Sequence, residues 1–157
     1  MGYAAPLVTG DVRGFGYAEH LLVWSWRRIA AGQACCPLMM DEFASACGED
    51  GPEVIATYCT FLKALAMAGR RRFAIGAPGC LAVTADERQV LILVAAAQAD
   101  TPALLEAHLR WIAVPEKRHL LEIATGALAR ALSTNDLHIA LPAQEMPSVC
   151  ERKLAVA

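Results

Sequence analysis

Thr84-Ala85-Asp86-Glu87-Arg88-Gln89-Val90-Leu91-Ile92-Leu93-Val94-Ala95-Ala96-Ala97 is the stretch on which the fold turns. Val90 through Val94 are all apolar, and such a run suits either a buried strand or a helix covered on every side. The flanking residues separate the two. Thr84 stands three residues before Glu87, so its hydroxyl can accept from the Glu87 amide while the Glu87 carboxylate reaches back to the Thr84 amide, the reciprocal pair of a capping box. Ala95-Ala96-Ala97 continues the run with the best helix former. The stretch predicts a helix from Ala85 to Ala99, apolar on all faces and central to the core.

Segments with helical spacing surround it. Phe15, Ala18, Leu22, Trp26 and Ile29 share one face of a helix from Phe15 to Ala31, stopped by Gly32, and Val23 and Trp24 make its other faces apolar too. Cys36-Pro37 opens a short helix to Gly48, with Met40, Phe43, Ala44 and Cys47 at helical spacing. Asp50-Gly51-Pro52 opens a longer one to Ala68, with Ile55, Cys59, Leu62 and Ala66 on one stripe and Val54, Tyr58, Phe61 and Leu65 on another. Thr101-Pro102 starts a helix to Ala113 that buries Leu105, Leu109 and Ile112. Pro115 opens the last, to Leu132, with Leu120, Ile123, Ala124, Ala127, Leu128 and Ala131 facing inward.

Two segments break the helical pattern. Arg72–Gly76 and Cys80–Thr84 flank Ala77-Pro78-Gly79, where proline then glycine at the central positions marks a type II turn, so 72–84 reads as a tight β-excursion. Leu137-His138-Ile139-Ala140-Leu141 alternates and stops at Pro142, which reads as a strand. The expected fold is mainly α (α+β): one helical domain over 15–142, with five to six helices and a small antiparallel sheet from about 72–84 and 137–141. An irregular arm over 1–14 and a mobile tail over 143–157 are expected to flank it.

Composition bounds the class of protein. The chain has 157 residues, enough for a core without staples, and with 56% hydrophobic and 19% charged residues it is not a disordered chain. A net charge of −2 gives no reason to expect whole-molecule attraction to nucleic acid or acidic lipid. The most apolar runs, Leu21–Trp26 and Val90–Ala97, are too short to span a bilayer, and Met1–Pro6 lacks the basic start and apolar run of a signal peptide. A cytoplasmic protein without a membrane partner is expected. The apolar excess has an outlet if helical faces are covered by a second copy, so a homodimer is expected as well.

Six cysteines stand at positions 35, 36, 47, 59, 80 and 150, with no Cys-x-x-Cys pair, and buried reduced thiols account for them. The four histidines supply no His-x3-His or Glu-x-x-His pair, so no metal and no cofactor is implied. Gly-x-Ser-x-Gly, Walker and dinucleotide-binding patterns are missing, and no catalytic residue is assigned. The scattered carboxylates, Asp86 and Glu87 among them, fit surface and helix-capping roles.

Three groups of residues remain as candidates. Trp24 and Trp26 lie on opposite sides of one helix, so Trp24 with Arg27 and Arg28 is the candidate partner interface. Arg70, Arg71 and Arg72 form the main basic concentration and are the candidate anion or nucleic-acid contact. With the expected hairpin and the two helices joined at Asp100-Thr101 they resemble a winged helix-turn-helix in outline, although the second helix offers only His108 and Arg110 as contacts. Cys36, Cys47 and His108 are a candidate ligand or redox group. Cys36-Pro37 resembles the dipeptide of haem-responsive regulators, but two residues carry little, and a cysteine ahead of a helix-opening proline is the favoured reading.

The stretches His20–Arg28 and Ala68–Arg72 through Pro78-Gly79-Cys80 resemble short hypothetical proteins of GC-rich, alphaproteobacterial genomes. That resemblance implies no activity and carries over no functional residue. The reading that needs no missing motif is a non-catalytic, cytoplasmic, homo-oligomeric interaction or regulatory module. The alternatives are a small-ligand, metal or thiol-based sensor or enzyme with a pocket near Cys36, Cys47 and His108, and a DNA-binding regulator that uses Arg70–Arg72.

Overall fold

Thr84 caps its helix as the spacing predicts. Its Oγ accepts from the Glu87 amide at 3.1 Å, and Glu87 Oε2 accepts from the Thr84 amide at 2.9 Å. In this computed structural model, which describes residues 8–34 and 36–141, the helix that follows is Ala85–Gln98. The elements in chain order are strand β1 (Val8–Asp11), α1 (Tyr17–Ala30), α2 (Pro37–Cys47), α3 (Gly51–Ala68), strand β2 (Ala82–Thr84), α4 (Ala85–Gln98), α5 (Pro102–Ile112) and α6 (Arg118–Thr134). The fold is thus mainly helical with a small antiparallel sheet. Among the described residues no helix is long and apolar enough to cross a membrane.

α4 lies at the centre, packed on α5 and α6, while α3 packs on α6 and α2. Val90, Leu91, Leu93, Val94, Ala95 and Ala96 of α4 are buried and Ile92 is half-buried, so nearly every face is covered. The prolines act as predicted: Pro37, Pro52 and Pro102 sit in the first turns of α2, α3 and α5, where the missing amide costs no hydrogen bond. Gly51 is needed where α3 begins, since a Cβ there would lie 3.0 Å from the Ala44 backbone.

One strand of the sheet, β2, lies within the expected 72–84, but its partner is not 137–141. β2 pairs antiparallel with β1, Gly10 opposite Val83 and Asp11 opposite Ala82, so part of the expected irregular arm is a strand. The turn at Pro78-Gly79 is present, with Gly79 at φ +81° and the Cys80 amide 3.1 Å from the Ala77 carbonyl. Its flanks do not pair with each other, and the winged outline loses its hairpin. Side chains have taken the backbone groups a hairpin would use, as described below.

The segment 137–141 alternates as predicted, with Leu137 and Ile139 buried and His138 and Ala140 exposed, but among the described residues no strand pairs with it. Two side chains stand in. Gln98 donates to the Leu137 carbonyl at 2.8 Å and accepts from the Ile139 amide at 2.9 Å, and Glu19 accepts from the Ala140 amide at 2.7 Å. The expected tail over 143–157 lies outside the described residues.

The last helix is rotated from its expected phase. Leu121, Ala124, Thr125, Leu128, Ala129 and Leu132 are buried, whereas Leu120 and Ile123 are exposed at 43% and 58%. Pro115–Lys117 forms a 3-10 turn, so α6 starts only at Arg118. A polar residue sits on its inner stripe: the Thr125 hydroxyl donates to the Leu121 carbonyl at 2.7 Å, and an apolar count passes over it.

Candidate functional site

Asp86 and Glu87, neighbours in the first turn of α4, are not surface carboxylates. Each clamps one arginine and part of the loop between α3 and β2. Glu87 is fully buried and binds Arg27 through two contacts, Nε–Oε1 at 2.7 Å and Nη2–Oε2 at 2.8 Å; it also accepts from the Gly76 amide at 3.0 Å. Arg27 is 3% exposed and donates onward to the carbonyls of Cys80 and Ala82. A guanidinium fits this role because its planar fork serves the carboxylate and the loop carbonyls together. Gly76 leaves room for it: a Cβ there would lie 2.6 Å from Arg27 Nη2, which the ion pair holds in place.

Asp86 performs the second clamp. Its oxygens accept from Arg71 at 2.8 Å and 2.7 Å and from the Ala74 amide at 2.7 Å. The Thr84 hydroxyl donates to the Ala74 carbonyl at 2.6 Å, so the capping box and the two clamps form one polar network. The loop is thereby fixed by charge-assisted hydrogen bonds in place of a ladder.

Burial pushes both carboxyls upward, but Arg71 and the Ala74 amide hold Asp86 below its ordinary 3.8, and Arg27 with the Thr84 and Gly76 amides holds Glu87 below its ordinary 4.5. Depressed folded-state values give a stabilisation that is complete above the ordinary carboxylate range and is lost as the pH falls through the folded values. His108 adds in the same direction: burial lowers it below its ordinary 6.5, so the unfolded chain takes up that proton first. Thermal midpoints measured from pH 7 down to about pH 3 should fall, slightly below 6.5 and steeply below the carboxylate range. A flat profile would contradict both clamps.

Outside the clamps the loop opens a cleft. Gly69 and Ala113 form an isolated antiparallel bridge, flanked by Arg70 N–Ile112 O at 3.0 Å and Val114 N–Ala68 O at 2.8 Å. This seam sews the end of α3 to the end of α5, and so sets Arg70 and Arg71 beside Arg110 and Trp111. Together with Phe73, Asp86, Gln89 and Ile112 they line a cavity of about 410 Å3, in the range of binding pockets. Trp111 is 69% exposed. Arg110 is paired with Glu106 at 2.7 Å and Arg71 with Asp86, whereas Arg70 and Arg72 have no ion-pair partner among the described residues. A second hollow of about 470 Å3 lies against Phe73 and Arg71 and is lined further by Trp26, Leu62, Leu65 and Arg72. The cleft offers surplus positive charge next to a wide aromatic face, a setting for an anionic group that has apolar surface beside it.

The expected candidates are thus partly brought together. Arg70 and Arg71 line the cleft, with Arg71 spent mainly on Asp86, and Arg72 lines the second hollow beside it. Of the expected interface, Arg28 stacks over the half-buried Trp24 ring at 5.2 Å, but Arg27 is an interior residue and cannot serve a partner. Trp26 packs inside against Phe73, ring centroids 6.1 Å apart. Cys36, Cys47 and His108 do not share a site. Cys36 and Cys47 bracket α2, which packs on α3, and His108 stands on α5, which packs on α4 and α6. Arg28 Nη2 lies 3.1 Å from Cys36 Sγ and, with the Met39 and Leu38 amides, lowers that thiol, while burial raises Cys47. Among the described residues no group of three His, Cys, Asp or Glu side chains is placed to hold a metal ion.

Trp111 and Gln89 were not anticipated, and Arg110 was read only as a nucleic-acid contact of its helix. Trp111 could have been found from its helix: Leu105, Leu109 and Ile112 define the inner stripe, and position 111 falls away from it. No family model, curated protein or solved structure matches the chain.

Proposed function

We propose that the protein is a non-catalytic interaction module that docks an acidic, partly apolar segment of a protein partner in the cleft between Arg70 and Trp111. The observation that carries this reading is the wide exposure of Trp111 among three guanidinium groups. Tryptophan and arginine are the side chains most enriched at binding hot spots. The cavity lining includes no serine, cysteine or histidine, and its one carboxylate, Asp86, is committed to Arg71 and the Ala74 amide. Those residues can hold an anion, but they offer no nucleophile or available base. The described cysteines Cys36, Cys47, Cys59 and Cys80 are free thiols, which supports a reducing, cytoplasmic setting.

Fluorescence anisotropy with a labelled glutamate-rich peptide carrying one central leucine tests the reading. Binding should be salt-sensitive, and Trp111→Ala should weaken it by about 30-fold, the loss expected when a hot-spot tryptophan worth about 2 kcal/mol is removed. The thermal midpoint should stay put, because so exposed a side chain adds little to the core. Unchanged binding by Trp111→Ala would defeat the proposal, as would a preference for an oligothymidylate over the peptide.

A further inference from the structure

We infer that the occupant of this cleft is the acidic pole of a second copy of the chain, an inference that rests on the docking reading above. From Pro37 to Leu62 the sequence contains no lysine, arginine or histidine, yet it carries Asp41, Glu42, Glu49, Asp50 and Glu53. Glu42 is engaged by the Tyr17 hydroxyl at 2.9 Å. The other four are exposed, and none has an ion pair among the described residues. They gather around α2 and the start of α3, whereas Arg70 and Arg72 follow its end.

α3 has 18 residues and is about 27 Å long, so Glu49, Asp50 and Glu53 at its start stand well beyond the screening length of about 10 Å in dilute salt from Arg70 and Arg72 past its end. The two sets therefore cannot neutralise each other within one molecule. With a net charge of only −2, the chain as a whole puts little repulsion between copies. The apolar parts match as well. Leu38 and Met40 are 55% and 40% exposed on α2, and Leu38 lies three residues before Asp41, on the same side of the helix. An acidic surface with exposed leucine and methionine is the chemistry that the Trp111 cleft accepts. Two copies arranged antiparallel satisfy both pole-to-pole contacts at once, which closes the assembly as a dimer with two-fold symmetry.

The test is sedimentation of the full chain at about 0.02 M and about 0.5 M salt. A dimer should form at low salt and weaken about tenfold or more at high salt. Arg70→Glu with Arg72→Glu makes both poles acidic, and Glu49→Lys with Asp50→Lys and Glu53→Lys makes both basic. Each variant, confirmed as folded by circular dichroism, should be monomeric alone, and an equimolar mixture should associate. Self-association by either variant alone would overturn the inference, as would failure of the mixture or a wild-type dimer indifferent to salt. A wild-type monomer that still binds the glutamate-rich peptide through Trp111 overturns only the second copy. A monomer that binds no peptide removes the docking reading too.

Discussion

Replacing Glu87 by glutamine should cost about 3–5 kcal/mol of stability, the range seen when one partner of a buried ion pair is removed. In a chain of this length that is a fall of roughly 10 °C in the thermal midpoint. Glutamine keeps the shape and can still accept from the Gly76 amide, but it leaves the guanidinium of Arg27 charged and enclosed, at 3% exposure. Replacing both partners with apolar residues should not restore stability, although such exchanges are often harmless for isolated pairs. Here the pair also serves the carbonyls of Cys80 and Ala82 and the amides of Gly76 and Thr84, and all four would lose their partners. A double variant Arg27→Met with Glu87→Leu as stable as wild type would show that the pair is dispensable. Calorimetry of the two variants against wild type gives the comparison.

Phe61→Ala should be equally costly for a different reason, at about 3–5 kcal/mol for a large aromatic removed from a core. Phe61 is fully buried and stacks on Tyr58 with ring centroids 6.3 Å apart; Tyr58 in turn stacks on Phe43 at 6.4 Å. The Tyr58 hydroxyl donates to the Leu22 carbonyl at 2.6 Å, so this column ties α3 to both α2 and α1. Close-packed neighbours cannot fill the space left by a ring. Chemical denaturation reads the loss directly, and a loss under about 1 kcal/mol would mean that the column collapses without a cavity. Phe61 does not line the Trp111 cleft, so peptide binding by the folded fraction at low temperature should match wild type.

The local parts of this architecture were legible because their causes are local. The capping box at Thr84 and Glu87, the prolines that open α2, α3 and α5, and the turn at Pro78-Gly79 each depend on residues within a few positions of one another. The clamps were not legible, since Arg27 and Glu87 are 60 residues apart and each already had a sufficient local explanation. Glu87 reads as a cap and is one, so nothing in the sequence asks for its second role. Arg27 next to Trp24 and Arg28 reads as surface, and only the approach of the Gly76 backbone shows why an interior arginine is wanted there. The phase of α6 failed for a related reason, because Thr125 counts as polar while its hydroxyl is satisfied inside the helix. Of the cleft, the arginine run was visible, but its nearness to Trp111 depends on the seam between Gly69 and Ala113, which joins segments from different helices.

The Arg27–Glu87 pair also limits how far the sheet can grow. One side of β2 faces β1, continuing past the strands through the Leu81 carbonyl and the Val12 amide at 2.9 Å. Along the other side, the Cys80 and Ala82 carbonyls are taken by Arg27 and the Thr84 amide by Glu87. An incoming strand would find that edge already occupied by two side chains whose pairing it would have to break. Natural sheets guard their edges with charge, bulges or proline to avoid runaway strand addition. In this protein a buried charge pair gives the same protection from within, so conditions that neutralise Glu87 would expose an edge competent for aggregation as they loosen the loop.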